Sequence, residues 1–177
     1  MRTPPVLRCE AVSSTEPPAD DPYAADPPAT PEELDAIEAV ISAWADAELA
    51  NNPVVAAVDR GEAGERRWYI RVAGEEKDTF TIWLTLRQRS LHFETYVMPA
   101  PEENHAEFYE HLLRRNISLV GAAFAIGVEE AVFLKGAIPF DRVDDTALDH
   151  ILGLLYVTTE QCFRPALRIG FASRFSG

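Results

Sequence analysis

The residues best suited to chemistry lie together in the segment from His105 to His111. Glu107 and His111 are four positions apart, so a helix would place both on one face, as two ligands of one metal ion require. His105, or His92 from the segment before, could supply a third ligand. That face lies opposite the apolar residues of the same helix. We therefore interpret it as a solvated surface and keep a metal-dependent enzyme as the alternative.

Motifs of the common catalytic sites are absent from the sequence: there is no zinc-protease His-Glu-x-x-His, paired Cys-x-x-Cys, Gly-x-Ser-x-Gly or phosphate-binding glycine loop. The two cysteines, Cys9 and Cys162, are far apart and do not have metal-ligand spacing. Cys162 falls on the apolar stripe of the last predicted helix, which indicates a buried, unreactive thiol. We predict a protein that is not an enzyme and uses no metal or cofactor.

Two adjacent cations, Arg114 and Arg115, close the second predicted helix together with Asn116. Cations at this end stabilise a helix through its dipole, and Asn suits a left-handed C-cap. The same two guanidinium groups are also a candidate anion site for a phosphate or a carboxylate. The residues by themselves leave both interpretations open.

The composition limits the classes of partner. The 177 residues carry a net charge of −13, which argues against binding to the phosphates of nucleic acids and to anionic membrane surfaces. Prolines interrupt the N-terminus, so it does not have the pattern of a secretory signal. The longest apolar run, residues 117–128, is shorter than the roughly 20 residues that span a bilayer. We predict a cytoplasmic protein with no nucleic-acid or membrane partner.

A cluster of large apolar residues lies where a half-buried sheet should be polar. Residues 78–88 and 90–98 alternate in character, as strands with one buried face do. The face away from the predicted core carries Trp83, Tyr96 and Met98, joined by Tyr69 from the preceding strand. Such a patch is either covered by the first or last helix or used as a surface for a partner or a second copy.

The elements that carry these residues predict an α+β fold. Residues 1–30 are rich in Pro, Ala and Asp and are predicted to be a disordered tail. A capping box at Thr30-Pro31-Glu32-Glu33 then begins a helix. The predicted order is a helix, three or four strands, a helix, two strands and a helix, which indicates an antiparallel sheet with helices on one face. Pro165 should break the last helix, residues 31–170 form one domain, and residues 171–177 are a flexible end.

Several of these segments resemble the YbjN family of bacterial proteins. The resemblance rests on Leu112-Leu113-Arg114-Arg115-Asn116, Ala123-Phe124-Ala125-Ile126, Gly136-Ala137-Ile138-Pro139 and the helix that begins near Leu148. That family is similar in fold to the type III secretion chaperones, with the same order of elements. The resemblance implies an acidic, cytoplasmic homodimer that holds an extended or partly unfolded polypeptide against apolar patches. The resemblance also implies a role in sensory transduction or stress regulation, which is how the family is labelled.

Two hypotheses for function follow. The first is a non-enzymatic module, chaperone-like or regulatory and homodimeric, that binds a polypeptide partner through Tyr69, Trp83, Tyr96 and Met98. The alternative is a regulator that senses a small molecule in a pocket between the sheet and the helices, with Arg114 or Arg115 holding an anion.

Overall fold

The structure, a computed structural model, describes Tyr23 and residues 26–175. Most of the predicted tail and the last two residues of the predicted flexible end lie outside these residues. Within the described part, the Ala29 amide donates to the carbonyl of Gln88 at 2.7 Å, so residues just before the first helix are bonded to the sheet. At the other end Phe171 is buried and Ala172–Phe175 form a 3-10 turn. Folded contacts therefore extend beyond residues 31–170 on both sides.

The described chain forms three α-helices and six strands. In chain order they are α1 (Pro31–Asn51), β1 (Val55–Arg60), β2 (Arg67–Ala73), β3 (Thr79–Leu86), β4 (Ser90–Met98), α2 (His105–Asn116), β5 (Ala122–Ile126), β6 (Val132–Pro139) and α3 (Asp145–Gly170). The strands form one sheet in the order β1-β2-β3-β4-β6-β5, and every neighbouring pair is antiparallel. The predicted α+β class is confirmed, with four strands in the first run.

The predicted start of the first helix is also confirmed. The Thr30 hydroxyl accepts from the Glu33 amide at 3.2 Å, and the Glu33 carboxylate accepts from the Thr30 amide at 2.7 Å, which completes the capping box before α1. Asp144 accepts from the Ala147 amide at 2.8 Å and so caps α3. Each cap satisfies amide groups that have no partner inside the helix.

The three helices pack on one face of the sheet. The Trp68 indole of β2 donates to the Ser42 hydroxyl of α1 at 3.3 Å, and Phe80 of β3 stacks on Tyr156 of α3 with ring centroids 5.9 Å apart. The strands contribute alternate residues to this core, as their period of two predicts. They are Trp68, Ile70, Val72, Phe80, Ile82, Leu84, Leu91 and Phe93. The opposite face carries no helix within the described residues.

Pro165 does not end α3, and that prediction was wrong. Proline lacks an amide hydrogen, so the carbonyl of Gln161, four residues earlier, loses its helical donor. Nη2 of Arg115, on α2, donates to this carbonyl at 3.3 Å. The helix continues to Gly170, where a Cβ would lie 2.8 Å from the Phe108 ring. A contact between helices thus compensates for the break that proline makes within one.

Candidate functional site

Four aromatic side chains form a connected cluster on the sheet face that carries no helix. Tyr69 and Trp83 meet edge to face with centroids 6.3 Å apart, Trp83 lies 6.3 Å from Phe133, and Phe133 lies 5.6 Å from Tyr96. The sheet register produces this arrangement because Tyr69 pairs with Trp83 and Tyr96 pairs with Phe133. We call Tyr69, Trp83, Tyr96 and Phe133 the aromatic face.

Met98 does not belong to the aromatic face, contrary to the prediction from alternation. Its side chain is 1% exposed and packs in the core. The pairing of β4 with β6 shifts by one residue between Tyr96 and Met98, so that Met98 pairs with Val132. An extra residue in a strand reverses which face the following side chains occupy. This bulge therefore moves Met98 to the helix side.

A short turn, rather than a helix, forms one wall of the aromatic face. The turn between β5 and β6 includes residues 128–130, and Gly127 at its start packs directly on Phe133. A Cβ at Gly127 would lie 2.5 Å from Cδ2 of that ring, so only glycine permits this approach. Phe133 is consequently 7% exposed, whereas Tyr96 beyond the turn is 38% exposed. The turn thus covers the cluster at Phe133, while the Tyr96 side of the cluster is exposed to solvent.

Next to this wall is a cavity of about 400 Å³. Its apolar surface comes from Trp83, Phe133 and Val128, and its charged groups are Arg67, Arg87 and Lys135 against the single carboxylate of Glu94. The Lys135 ammonium lies 3.7 Å from Glu94, and Arg67 donates to the Thr85 hydroxyl at 3.2 Å. Among the described residues, the cavity is lined by three cations and one carboxylate, and Glu65 lies 3.8 Å from Arg67 beside it. The cavity therefore attracts anionic groups while offering aromatic surface.

The Tyr96 hydroxyl stays neutral over the physiological range. Burial raises the pKa of Tyr96, and the nearby carboxylate of Glu129 raises it further. A neutral phenol presents an apolar ring with one polar group at its tip, the character of a contact residue rather than of a base.

Arg114 and Arg115 do not converge on a shared pocket. Arg114 donates to the Glu110 carboxylate one turn earlier, with Nε at 2.8 Å, and its side chain is 73% exposed. Arg115 donates to His111 at 3.2 Å and to the Gln161 carbonyl freed by Pro165. Each guanidinium already has a local partner, and the anion site stays a prediction.

The groups considered for chemistry are dispersed or buried. Within the described residues, no group of three His, Cys, Asp or Glu side chains is placed to hold a metal ion. Burial, and then the Arg115 charge, lowers the pKa of His111, which leaves the imidazole neutral and able to accept from Arg115. Burial raises the pKa of Cys162 to about 11, and the side chain is 0% exposed. The prediction of a buried thiol at position 162 is confirmed.

A second exposed apolar surface lies beside the edge strand β5. Its five side chains are between 53% and 85% exposed. They are Leu113, Ile117, Val120, Ile126 and Val128, and we call them the apolar edge. Asn116 protects the strand itself, because its amide accepts from the Phe124 N–H at 2.8 Å and donates to the Phe124 carbonyl at 3.4 Å. Asn116 therefore lies within α2 and hydrogen-bonds to the edge strand. It does not form the predicted left-handed cap.

Sequence reasoning missed Phe133 and the apolar edge. Residues 132–134 are apolar on both sides, so alternation alone does not tell which residue points into the core. Lys135 was the available signal, because it shares a face with Phe133 and charged residues rarely face a core.

Among the described residues, no helix combines the length and apolar character needed to cross a membrane. The longest, α3, has 26 residues and is interrupted by charged side chains.

The chain is similar to several known proteins. The family model YbjN, described as "Putative bacterial sensory transduction regulator", matches residues 33–168. Uncharacterised proteins of Mycobacterium bovis and Mycobacterium tuberculosis are each 30% identical over 104 residues, which is 59% of this chain and 57% of theirs. An uncharacterised protein of Mycobacterium leprae is 29% identical over 110 residues, 62% of this chain and 60% of its own. The chain thus spans less than two thirds of the length of these relatives.

One solved structure with a similar arrangement is the Yersinia pestis type III secretion chaperone SycH, in complex with a stable fragment of YscM2. The TM-score is 0.48 at 15% sequence identity, over 71% of this chain and 98% of that one.

Proposed function

The chain belongs to the YbjN family, whose model matches residues 33–168, and we propose that it is a regulatory or chaperone-like module that binds a polypeptide and catalyses no reaction. The observation that carries this proposal is the aromatic face with its adjoining cavity of about 400 Å³. Aromatic side chains are the residue type enriched at the energetic centres of protein interfaces.

The chemistry of the cavity specifies the segment that fits. A space walled by Trp83, Phe133 and Val128 suits one large apolar side chain. Arg67, Arg87 and Lys135 at its margin favour carboxylates on either side of that anchor. The occupant we propose is an extended, acidic segment of a partner protein with an apolar anchor residue.

We further propose that the protein acts as a homodimer in the cytoplasm and that the two copies meet at the apolar edge. The motivation is that five apolar side chains between residues 113 and 128 are exposed. The dimer contact would then lie at the β5 side of the sheet and adjoin the cavity of the aromatic face at Val128, which belongs to both. Light scattering of the wild type beside an Ile117→Asp variant tests this part, since Ile117 is 85% exposed and its replacement should not disturb the fold.

The polypeptide proposal is tested by site-specific photocrosslinking in host lysate. A benzoylphenylalanine at Thr85, which lines the cavity, should crosslink a partner polypeptide, whereas the same group at exposed Glu107 on α2 should not. A folded Trp83→Asp, Tyr96→Asp variant should lose the capture, and a Val157→Asp variant, altered at an exposed apolar residue of α3 outside both the aromatic face and the apolar edge, should keep it.

Two results would contradict the proposal. One is equal capture by the wild type and the folded double variant. The other is a crosslink from position 85 only to residues 1–22 of the same chain, which would make the aromatic face an internal docking site.

A further inference from the structure

A second cavity lies at the end of β4 beside α3 and shares one lining residue, Tyr96, with the aromatic face. It has a volume of about 400 Å³ and lies between the end of β4, the last turns of α3 and the residues that follow α3. The side chains around it are mostly apolar, with two cations. They are Lys77, Tyr96, Val97, Met98, Pro99, Phe163, Leu167, Phe171 and Arg174, and we call this cavity the Lys77 groove.

The Lys77 ammonium is held against apolar surface. Its Nζ donates to the carbonyl of Val97 at 2.9 Å and to that of Tyr96, the two residues at the β4 bulge. The same Nζ lies 5.0 Å from the Tyr96 ring centroid, 5.5 Å from that of Phe80 and 5.7 Å from that of Phe163. An ammonium has three N–H donors, so these carbonyls account for two of them.

The carboxylates near Lys77 are already engaged elsewhere. Both Glu160 oxygens accept from backbone amides, those of Glu75 at 2.6 Å, Glu76 at 2.8 Å and Lys77 itself at 3.1 Å. The Glu76 carboxylate is ion-paired with Arg164 on α3. Among the described residues, no carboxylate lies within 4 Å of Lys77 Nζ, although this side chain is half-buried. A charge removed from water without a counterion is costly, and a bound anion relieves that cost.

Arg174 places a second cation at the rim of the groove. Its side chain is 63% exposed and ion-paired with Glu102, and its guanidinium lies 5.4 Å from the Phe171 ring centroid. Arginine carries five N–H donors, so this pairing leaves donors that can also reach an anion. The groove thus combines an apolar wall with two cations.

We propose that the Lys77 groove binds an aliphatic carboxylate. The carboxylate accepts from Lys77 Nζ, with Arg174 as a second donor, and the hydrocarbon chain packs on Met98, Phe163 and Leu167. This site shares only Tyr96 with the aromatic face, and it extends the proposed function by a small-molecule ligand of defined chemistry. Neutral lipids and alkylammonium ions lack the group that the ammonium requires.

Octanoate is the probe, added to the full chain at pH 7 and followed by calorimetry and by NMR of lysine-labelled protein. The chain has two lysines, Lys77 and Lys135, so the second provides an internal reference. Octanoate should shift the Lys77 signal at concentrations that leave the signal of Lys135, which lines the other cavity, unchanged. Lys77→Met should weaken binding about tenfold or more, since a charge-assisted hydrogen bond is lost, while Arg71→Met, at an exposed cation outside both cavities, should bind like wild type.

Further measurements distinguish binding in the groove from non-specific apolar binding. The neutral analogue 1-octanol should bind about tenfold or more weakly than octanoate. Leu167→Trp should prevent binding by filling the groove, and this half-buried position tolerates a larger residue better than a core position would. A folded Trp83→Asp variant should bind octanoate normally, which separates this proposal from polypeptide binding.

The proposal is overturned if octanoate gives no saturable binding, if 1-octanol binds as tightly, or if folded Lys77→Met binds as the wild type does. If Lys77→Met does not fold, unchanged octanoate binding by Leu167→Trp overturns it independently.

Discussion

Replacing Lys77 with methionine should change how the stability of this protein depends on pH. Burial lowers the pKa of Lys77 from its ordinary value of 10.5 to about 8, against a smaller opposing effect of the Glu160 charge. Methionine keeps an unbranched chain of similar size and removes the titrating group. A comparison of the two proteins therefore isolates the contribution of this one ammonium.

The sign follows from proton binding in the two states. Between pH 8 and 10.5 the folded chain has released the Lys77 proton, while the unfolded chain still holds it. The unfolded state then binds more protons, so the free energy of unfolding rises with pH in this window. Below pH 8 the charged Lys77 destabilises the folded wild type to its full extent. The wild type then gains stability relative to Lys77→Met as the pH approaches 10.5.

The pKa difference sets an upper limit on this change in the free energy of unfolding. The pKa difference is about 2.5 pH units, and each unit corresponds to about 1.36 kcal/mol, which sets an upper limit of roughly 3 kcal/mol. The carbonyls of Tyr96 and Val97 accept from the charged form and so oppose part of the shift. We expect a relative gain of about 1–3 kcal/mol across the window.

Urea unfolding of both proteins between pH 7 and pH 10.5 measures this difference. Burial also raises the pKa of Cys162 and Tyr156, which lowers stability over the same range, but both proteins share these groups. Because Tyr96 contacts Lys77 and its pKa is also raised, the pair is best compared in a Tyr96→Phe background. Lys135→Met, at an exposed site, is the matched control. Its free energy of unfolding should change with pH in parallel with that of the wild type. Parallel curves for wild type and Lys77→Met would refute the reasoning.

Three further changes test the packing on which the fold depends, each measured as the free energy of urea unfolding. Arg115→Met should cost about 1 kcal/mol because the Gln161 carbonyl loses its donor, and the cost should shrink in a Pro165→Ala background, where the helical amide returns. Gly136→Ala should cost about 1–3 kcal/mol, because its Cβ would lie 2.1 Å from the Gly121 carbonyl oxygen, whereas Gly153→Ala, which meets nothing within 4 Å, should stabilise α3 by up to about 1 kcal/mol. Thr30→Ala should cost about 1 kcal/mol through loss of the capping box, and an unchanged stability would mean that the cap is replaced by water.

The element order and the two faces of strands β3 and β4 could be predicted from the chain because their signals are local. Alternation along β3 and β4 assigned Trp83 and Tyr96 to one face, and the capping box at Thr30 located the start of α1. These signals depend on side-chain direction and on hydrogen bonds between residues a few positions apart. They are therefore present in any short window of the sequence.

The errors share one cause, which is that a distant segment decided the local outcome. Pairing with β6 placed a bulge in β4 and moved Met98 into the core. Arg115, from another helix, allowed α3 to pass Pro165. In both cases the local rule, strand alternation or helix breaking by proline, was sound, and a tertiary contact overrode it.

The sequence by itself determined the α+β class, the helix caps and an aromatic sheet face, because periodicity and capping act over a few residues. Only the tertiary structure decided what those features form together. The aromatic face acquires Phe133 and its wall from strands more than thirty residues away from Trp83. The Lys77 groove joins a turn, a strand end and the far end of α3, more than eighty residues apart. Such sites depend on which segments pack together, and that is set by the summed burial of the whole core rather than by any local pattern.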